Sequence, residues 1–147
     1  MLISHGAIVL VIDGAKMAIF RNCGKDFAAD LELLEHEAKR AAKTEELGTG
    51  KPGRSFISKG QARSAYQSTD YHQAEEDAFA KEATEKLNSL ALKSHLDFIV
   101  IAAPRVLGVM RQHYSSGLRK QLVAEIAKDY AGRPASDVAV FLRHHEP

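Results

Sequence analysis

The sequence is poor in the residues that build cross-linked or membrane-bound proteins. Its single cysteine, Cys23, excludes an internal disulfide and leaves no cysteine framework for zinc, which fits a reducing compartment. No stretch approaches the roughly 18–20 apolar residues needed to cross a bilayer. The apolar run from Ala7 to Ile12 is preceded by His5 alone and followed by Asp13 and Lys16, so it lacks the basic start and the length of a signal peptide. A cytoplasmic protein without membrane insertion is expected. An excess of charge of one sign is also missing: 20 basic residues face 19 acidic ones for a net charge of +1, which excludes a nucleic-acid binder that uses its whole surface and directs attention to local patches. Internal repeats, heptads and interior linkers are absent as well. What is present, 147 residues of which 45% are apolar and 27% charged, suits one soluble domain spanning 1–147.

The pattern of elements is legible in part. Ala7-Ile-Val-Leu-Val-Ile12 is a β-branched run suited to a strand buried on both faces. Asp13-Gly14 is a strong hairpin signal, and Lys16 to Arg21 alternates as an antiparallel partner strand would. Leu31 to His36 reads as a third strand, with a helix as the alternative. From about residue 40 to 70 a long loop is expected, because Gly48, Gly50, Gly53, Gly60 and Pro52 cluster there and periodicity disappears. Thr69 or Asp70 is positioned to cap a helix that runs to about Lys93 with an apolar stripe from Phe79 through Ala83, Leu87, Leu90 and Ala91.

Asp97 to Ala103 is a second fully buried strand, and Pro104 suits the first turn of a following helix. Leu107, Met110, Tyr114, Leu118, Leu122 and Ile126 then recur at intervals of three and four, which predicts two helices meeting near residue 115, the second capped by serine. Ser136 to Leu142 closes the chain as a short helix or a terminal strand, with the helix favoured. A three-stranded meander joined through helices to later parallel strands implies an α/β domain with a mixed sheet and helices on its faces.

Chemistry-bearing constellations are sparse. His72, Glu75 and Glu76 have a helical spacing that could share a metal, yet they equally form an acidic helix start that complements the dipole. His144-His145 reads as an exposed tail. Asp13 ends the first strand, where a metal-dependent nuclease would carry a carboxylate with partners such as Asp70, Glu75 or Asp97, but Asp-Gly is also what a turn requires. Ser4-His5 and Ser94-His95 lack a nucleophile elbow, Cys23 has no nearby histidine, and Gly48-Thr-Gly-Lys-Pro-Gly-Arg-Ser lacks the ordering of a phosphate loop. No catalytic residue, metal ligand or cofactor is assigned.

The basic residues carry more. Residues 48–69 hold Lys51, Arg54, Lys59 and Arg63 with no acid, and the segment Pro104 to Lys120 holds Arg105, Arg111, Arg119 and Lys120, again with no acid. Arg105, Arg111 and Arg119 avoid the apolar stripe, which gives the helical segment a cationic outer side. That side is either a solvated face or a contact for the phosphates of RNA or for an acidic partner, since a guanidinium fork matches phosphate geometry.

Three stretches together are recognisable: Ile8 to Arg21, the Asp70-Tyr-His72 to Phe79-Ala-Lys-Glu helix start, and Phe98-Ile-Val-Ile-Ala-Ala-Pro-Arg-Val-Leu-Gly-Val-Met-Arg111 followed by Leu118-Arg-Lys120. They resemble the bacterial "protein required for attachment to host cells" family over nearly the whole chain, most specifically in Ala-Pro-Arg-x-Leu-Gly-x-x-Arg. That family is in turn similar to the central domain of archaeal and eukaryotic class-1 peptide release factors and of Pelota. The resemblance implies a ribonuclease H-like α/β fold with a long loop between the third strand and the first long helix. In release factors that loop carries Gly-Gly-Gln into the peptidyl-transferase centre. The nearest counterpart here is Lys59-Gly60-Gln61, in which lysine replaces the first glycine and its backbone freedom.

The expectation is a non-enzymatic binding module. Its proposed contact surface comprises Lys51, Arg54, Lys59, Gln61 and Arg63 with Arg105, Arg111 and Arg119, its partner is the ribosome, RNA or a protein, and the resemblance implies a role in host attachment. A metal-dependent nuclease and a protein–protein interaction module are the alternatives. Oligomeric state is left open.

Overall fold

A computed structural model describes residues 1–38 and 61–146 of the chain, with 61–70 described as backbone only. The β-branched run forms strand β1 (Ile8–Ile12), every residue of which is buried. β2 (Lys16–Asn22) folds back antiparallel to it, and β3 (Leu31–Ala38) pairs antiparallel with β2 through a bulge after Ile19. A long helix, α1 (Gln61–Lys93), then carries the chain to β4 (Phe98–Ala102), which lies parallel to β1 on its other side. Helices α2 (Pro104–Arg111) and α3 (Ser116–Gln121) lead to β5 (Leu122–Ala127), parallel to β4, and α4 (Ala135–His144) closes the chain. The result is one five-stranded mixed sheet in the order β3-β2-β1-β4-β5, an α/β architecture of the kind the release-factor resemblance implies.

The alternation of the strands divides the core between two faces. Ile8, Leu10, Ile12, Met17, Ile19, Phe98 and Val100 pack under α1, α2 and α3 with Phe79, Leu87, Met110 and Leu118. Val9, Val11, Phe20, Leu31, Ile99, Ile101 and Ile126 point the other way, onto Val138 and Leu142 of α4. Thus β1 and β4 read as continuous apolar runs because helices cover both of their faces. No helix among the described residues is long and apolar enough to cross a membrane.

The β1–β2 hairpin closes through a side chain instead of a left-handed glycine. Asp13 Oδ1 accepts hydrogen bonds from the N–H groups of Ala15 and Lys16, both at 2.8 Å, and Gly14 does not take a positive φ. Gly14 lies close under α1: a Cβ there would stand 2.8 Å from Cδ of Glu76, so a larger residue would displace that side chain.

Two expectations are corrected. Of the loop expected at about 40–70, residues 40–60 lie outside the described residues and 61–70 are helical, so Thr69 and Asp70 lie inside α1 instead of capping it. From Gln61 to Lys93 there is no proline or glycine to stop it. The second correction concerns the stripe that continues from Leu118 through Leu122 to Ile126. Only Ser116–Gln121 is helical, capped as expected by Ser115, whose Oγ accepts from the Leu118 N–H at 3.0 Å, and the chain then extends into β5. A spacing of four returns to the same face of a helix and also to the same face of a strand, so it does not separate the two. The other elements stand where the sequence places them: three opening strands, the strand before Pro104 with proline at the start of α2, and a terminal helix.

Candidate functional site

The carboxylates considered as a metal set are not brought together. Asp13 follows β1, where its carboxylate is occupied by the turn N–H groups and by Lys16 Nζ at 3.5 Å. Asp97 precedes β4, and since Ile8 pairs with Phe98 in parallel register it lies at the opposite end of the sheet, about 20 Å away along the strand direction. There it accepts a hydrogen bond from Ser4 Oγ at 2.8 Å. Glu75 faces His72 Nδ1 at 3.7 Å, while Glu76 turns to the hairpin at Gly14. The Asp70 side chain is outside the described residues. Among the described residues no three His, Cys, Asp or Glu side chains are grouped as metal ligands would be.

The cationic face is built by α2 and α3. Pro104 starts α2 directly after β4, and Val106, Leu107 and Met110 turn to the core, which leaves Arg105 exposed in the first turn and Arg111 exposed in the last. Leu118 anchors α3 and leaves Arg119 and Lys120 exposed beside them. Arg105, Arg111 and Arg119 are all exposed on the two helices that cover one side of the sheet, and a hydrogen bond joins Arg119 to the Arg111 backbone. Lys51, Arg54 and Lys59 lie outside the described residues. Gln61 and Arg63 lie in the first turn of α1, where only the backbone is described.

The three arginines are not equivalent. Arg111 Nε and Nη2 donate to the two carboxylate oxygens of Glu125 at 3.3 and 3.2 Å, a two-pronged ion pair. Tyr114 donates its hydroxyl to Glu125 Oε2 at 2.7 Å. Arg119 Nη2 donates to the Arg111 carbonyl at 2.9 Å, and its guanidinium sits 5.6 Å from the centroid of the Tyr114 ring. Arg111 is thus neutralised by its partner, Arg119 is oriented by its neighbours, and Arg105 and Lys120 make no ion pair among the described residues. Glu125 is the residue that sequence reasoning missed. The segment 104–120 contains no acid, but β5 delivers one to it from a stretch whose spacing also suits a helix.

Local electrostatics follow from this contact. Burial would raise the Glu125 carboxyl, but hydrogen bonds from Arg111 and Tyr114 outweigh it and hold the group below the ordinary glutamate value. Burial, reinforced by the hydrogen bond to Glu125, raises the Tyr114 hydroxyl far above the ordinary tyrosine value, so it stays a donor. The site as built can hold anions through exposed guanidinium and ammonium groups on a rigid pair of helices.

Comparisons with known proteins agree with this architecture. The family described as "Bacterial archaeo-eukaryotic release factor family 12" matches residues 6–142. An uncharacterized protein of Rickettsia prowazekii (strain Madrid E) is 30% identical over 137 aligned residues, covering 83% of this chain and 82% of that one. The chain belongs to bacterial archaeo-eukaryotic release factor family 12.

Proposed function

We propose that this family member is a binding protein that contacts RNA, most directly on the ribosome, through the exposed cations of α2 and α3. The observation that carries the reading is the exposure of Arg105, Arg119 and Lys120 on the two short, core-anchored helices that also carry Arg111, which is paired with Glu125, in a chain of a release-factor family. Arg111 serves as the positioning member: its ion pair fixes the end of α2, and Arg119 builds on the Arg111 carbonyl. The basic segment with Lys51, Arg54, Lys59, Gln61 and Arg63 is proposed as a second contact that approaches the same partner. Catalytic peptide release is not part of the proposal, because Lys59 stands where the Gly-Gly-Gln motif has its first glycine.

Charge reversal tests the reading. Arg105→Glu combined with Lys120→Glu is expected to reduce salt-sensitive ribosome co-sedimentation by about tenfold or more, because each lost phosphate contact removes one released counterion. Both side chains are exposed, so the melting temperature stays within a few degrees. Unchanged co-sedimentation of a folded variant contradicts the assignment of this face. Arg54→Glu with Lys59→Glu tests the other segment in the same way. The host-attachment role implied by the sequence resemblance is proposed as a consequence of such intracellular binding. A deletion strain complemented by the charge-reversed protein would then fail to regain attachment.

A further inference from the structure

The turn that leads into β3 holds an aromatic ring out into solvent. Lys25 and Ala28 exchange backbone hydrogen bonds at 3.1 and 3.0 Å, which closes a tight turn with Asp26 and Phe27 at its corners. The Asp26 carbonyl accepts from the Ile3 N–H at 3.0 Å, so the turn is pinned to the N-terminal segment. Corner positions of such turns ordinarily take Gly, Asn, Asp or Pro, and turn geometry does not call for phenylalanine. Phe27 is nonetheless 70% exposed there. Beside it a groove of about 470 Å³ runs between the turn and α4, lined by the small side chains of Ala28, Ala29, Ala135 and Ala139 with Val140 and Arg143. The Met1 ammonium donates to the carbonyls of Arg143 and His145 at 3.1 and 3.0 Å, which places Leu2 between the end of α4 and the turn. Leu2 is 72% exposed and Val140 44%. Exposed apolar side chains scattered singly are common on monomers, but three gathered beside one groove mark an interaction surface.

A projecting ring and a groove that lie side by side on one surface suit a two-fold axis: the ring of each copy enters the groove of the other, and every contact occurs twice. The charges agree with that arrangement. The turn carries Asp26 and Asp30 against Lys25, whereas the end of α4 carries Arg143 and the Met1 ammonium against Glu146. Asp26 and Arg143 are exposed, and neither makes an ion pair among the described residues. We infer that this surface is a homodimer interface, in which Phe27 of each copy fills the groove beside α4 of the other and Asp26 faces the opposing Arg143. Charge sets the register of the pairing, and burial of the phenyl rings supplies most of its strength. Helices α2 and α3 cover the face of the sheet opposite to α4, so the dimer leaves their cations accessible.

The test is sedimentation velocity of the purified full chain at about 1–100 µM, the range in which a small, reversible interface associates. A monomer–dimer equilibrium is expected. Phe27→Asp is expected to weaken association by about tenfold or more with an unchanged melting temperature, because the ring it removes is exposed. Asp26→Arg and Arg143→Asp are each expected to weaken association, and the two together to restore it, a recovery that mere damage to the fold does not produce. Three results overturn the inference: a monomer at every concentration, a dimer indifferent to Phe27→Asp, or a double charge swap as weak as its single variants combined. Ribosomes take no part in this assay, so the dimer and the RNA reading fail separately.

Discussion

The Asn22 side chain is fully buried, yet every polar atom on it is used. Its Nδ2 donates to the carbonyls of Ile3 and Ser4 at 2.9 and 3.1 Å, and its Oδ1 accepts from the N–H groups of Gly24 and Asp30, both at 2.9 Å. One amide thereby ties the N-terminal segment to the turn that leads into β3. Asn22→Ala removes four hydrogen bonds together and strands backbone groups away from water, so a loss of about 3 kcal/mol is expected in urea unfolding. Glu125 makes a different prediction. Its folded carboxyl lies below the ordinary value of about 4.3, so the unfolded chain takes up its proton first as the solution is acidified. The stability this group supplies is complete above that value and is lost as pH falls through the folded one. Urea midpoints measured from pH 7 to pH 3 are expected to fall less steeply for Glu125→Gln than for the parent. An unchanged acid limb would show that the Arg111 and Tyr114 contacts do not hold in solution.

At the scale of elements, apolar spacing identifies a helix where the segment is long and leaves helix and strand undecided where it is short. Phe79, Ala83, Leu87 and Ala91 recur at four with Leu90 three after Leu87, over a stretch far longer than a strand, which marks one face of a helix, and that stripe is the part of α1 that packs on the sheet. Leu87 is fully buried while Leu92 is 84% exposed. Leu87→Ala is therefore expected to cost about 3 kcal/mol, and Leu92→Ala less than about 0.5 kcal/mol, in thermal or urea unfolding. Similar losses at the two positions would contradict the orientation of the helix. By contrast, Leu122 to Ala127 is short, and its spacing of four from Leu118 suits either element. What decides in favour of a strand is pairing with β4, which local sequence does not contain. The same error hid Glu125. The start of α1 was missed because residues 61–70 carry no apolar stripe, so the glycines before them were the stronger local signal.

Over the whole molecule, a charge balance near zero conceals separate surfaces. Helices α2 and α3 expose cations on one side of the sheet, the Tyr130–Phe141 stack lies on the other, and at the far edge of the sheet β3 is tied to α1 by Lys86, which pairs with both Glu35 and Glu37. The fold class was legible because β1 and β4, each buried on both faces, imply helices on each side of a sheet. The candidate surface was legible only as a list of basic residues, since Glu125, which neutralises Arg111, comes from β5. The proposed RNA contact is salt-dependent. Sucrose-gradient sedimentation of lysate at low and high salt, with the protein followed across the fractions, tests it most directly. Co-migration with a ribosomal peak that is released by salt is the predicted result. Absence from every ribosomal fraction at low salt would contradict it and transfer the binding role to a protein partner.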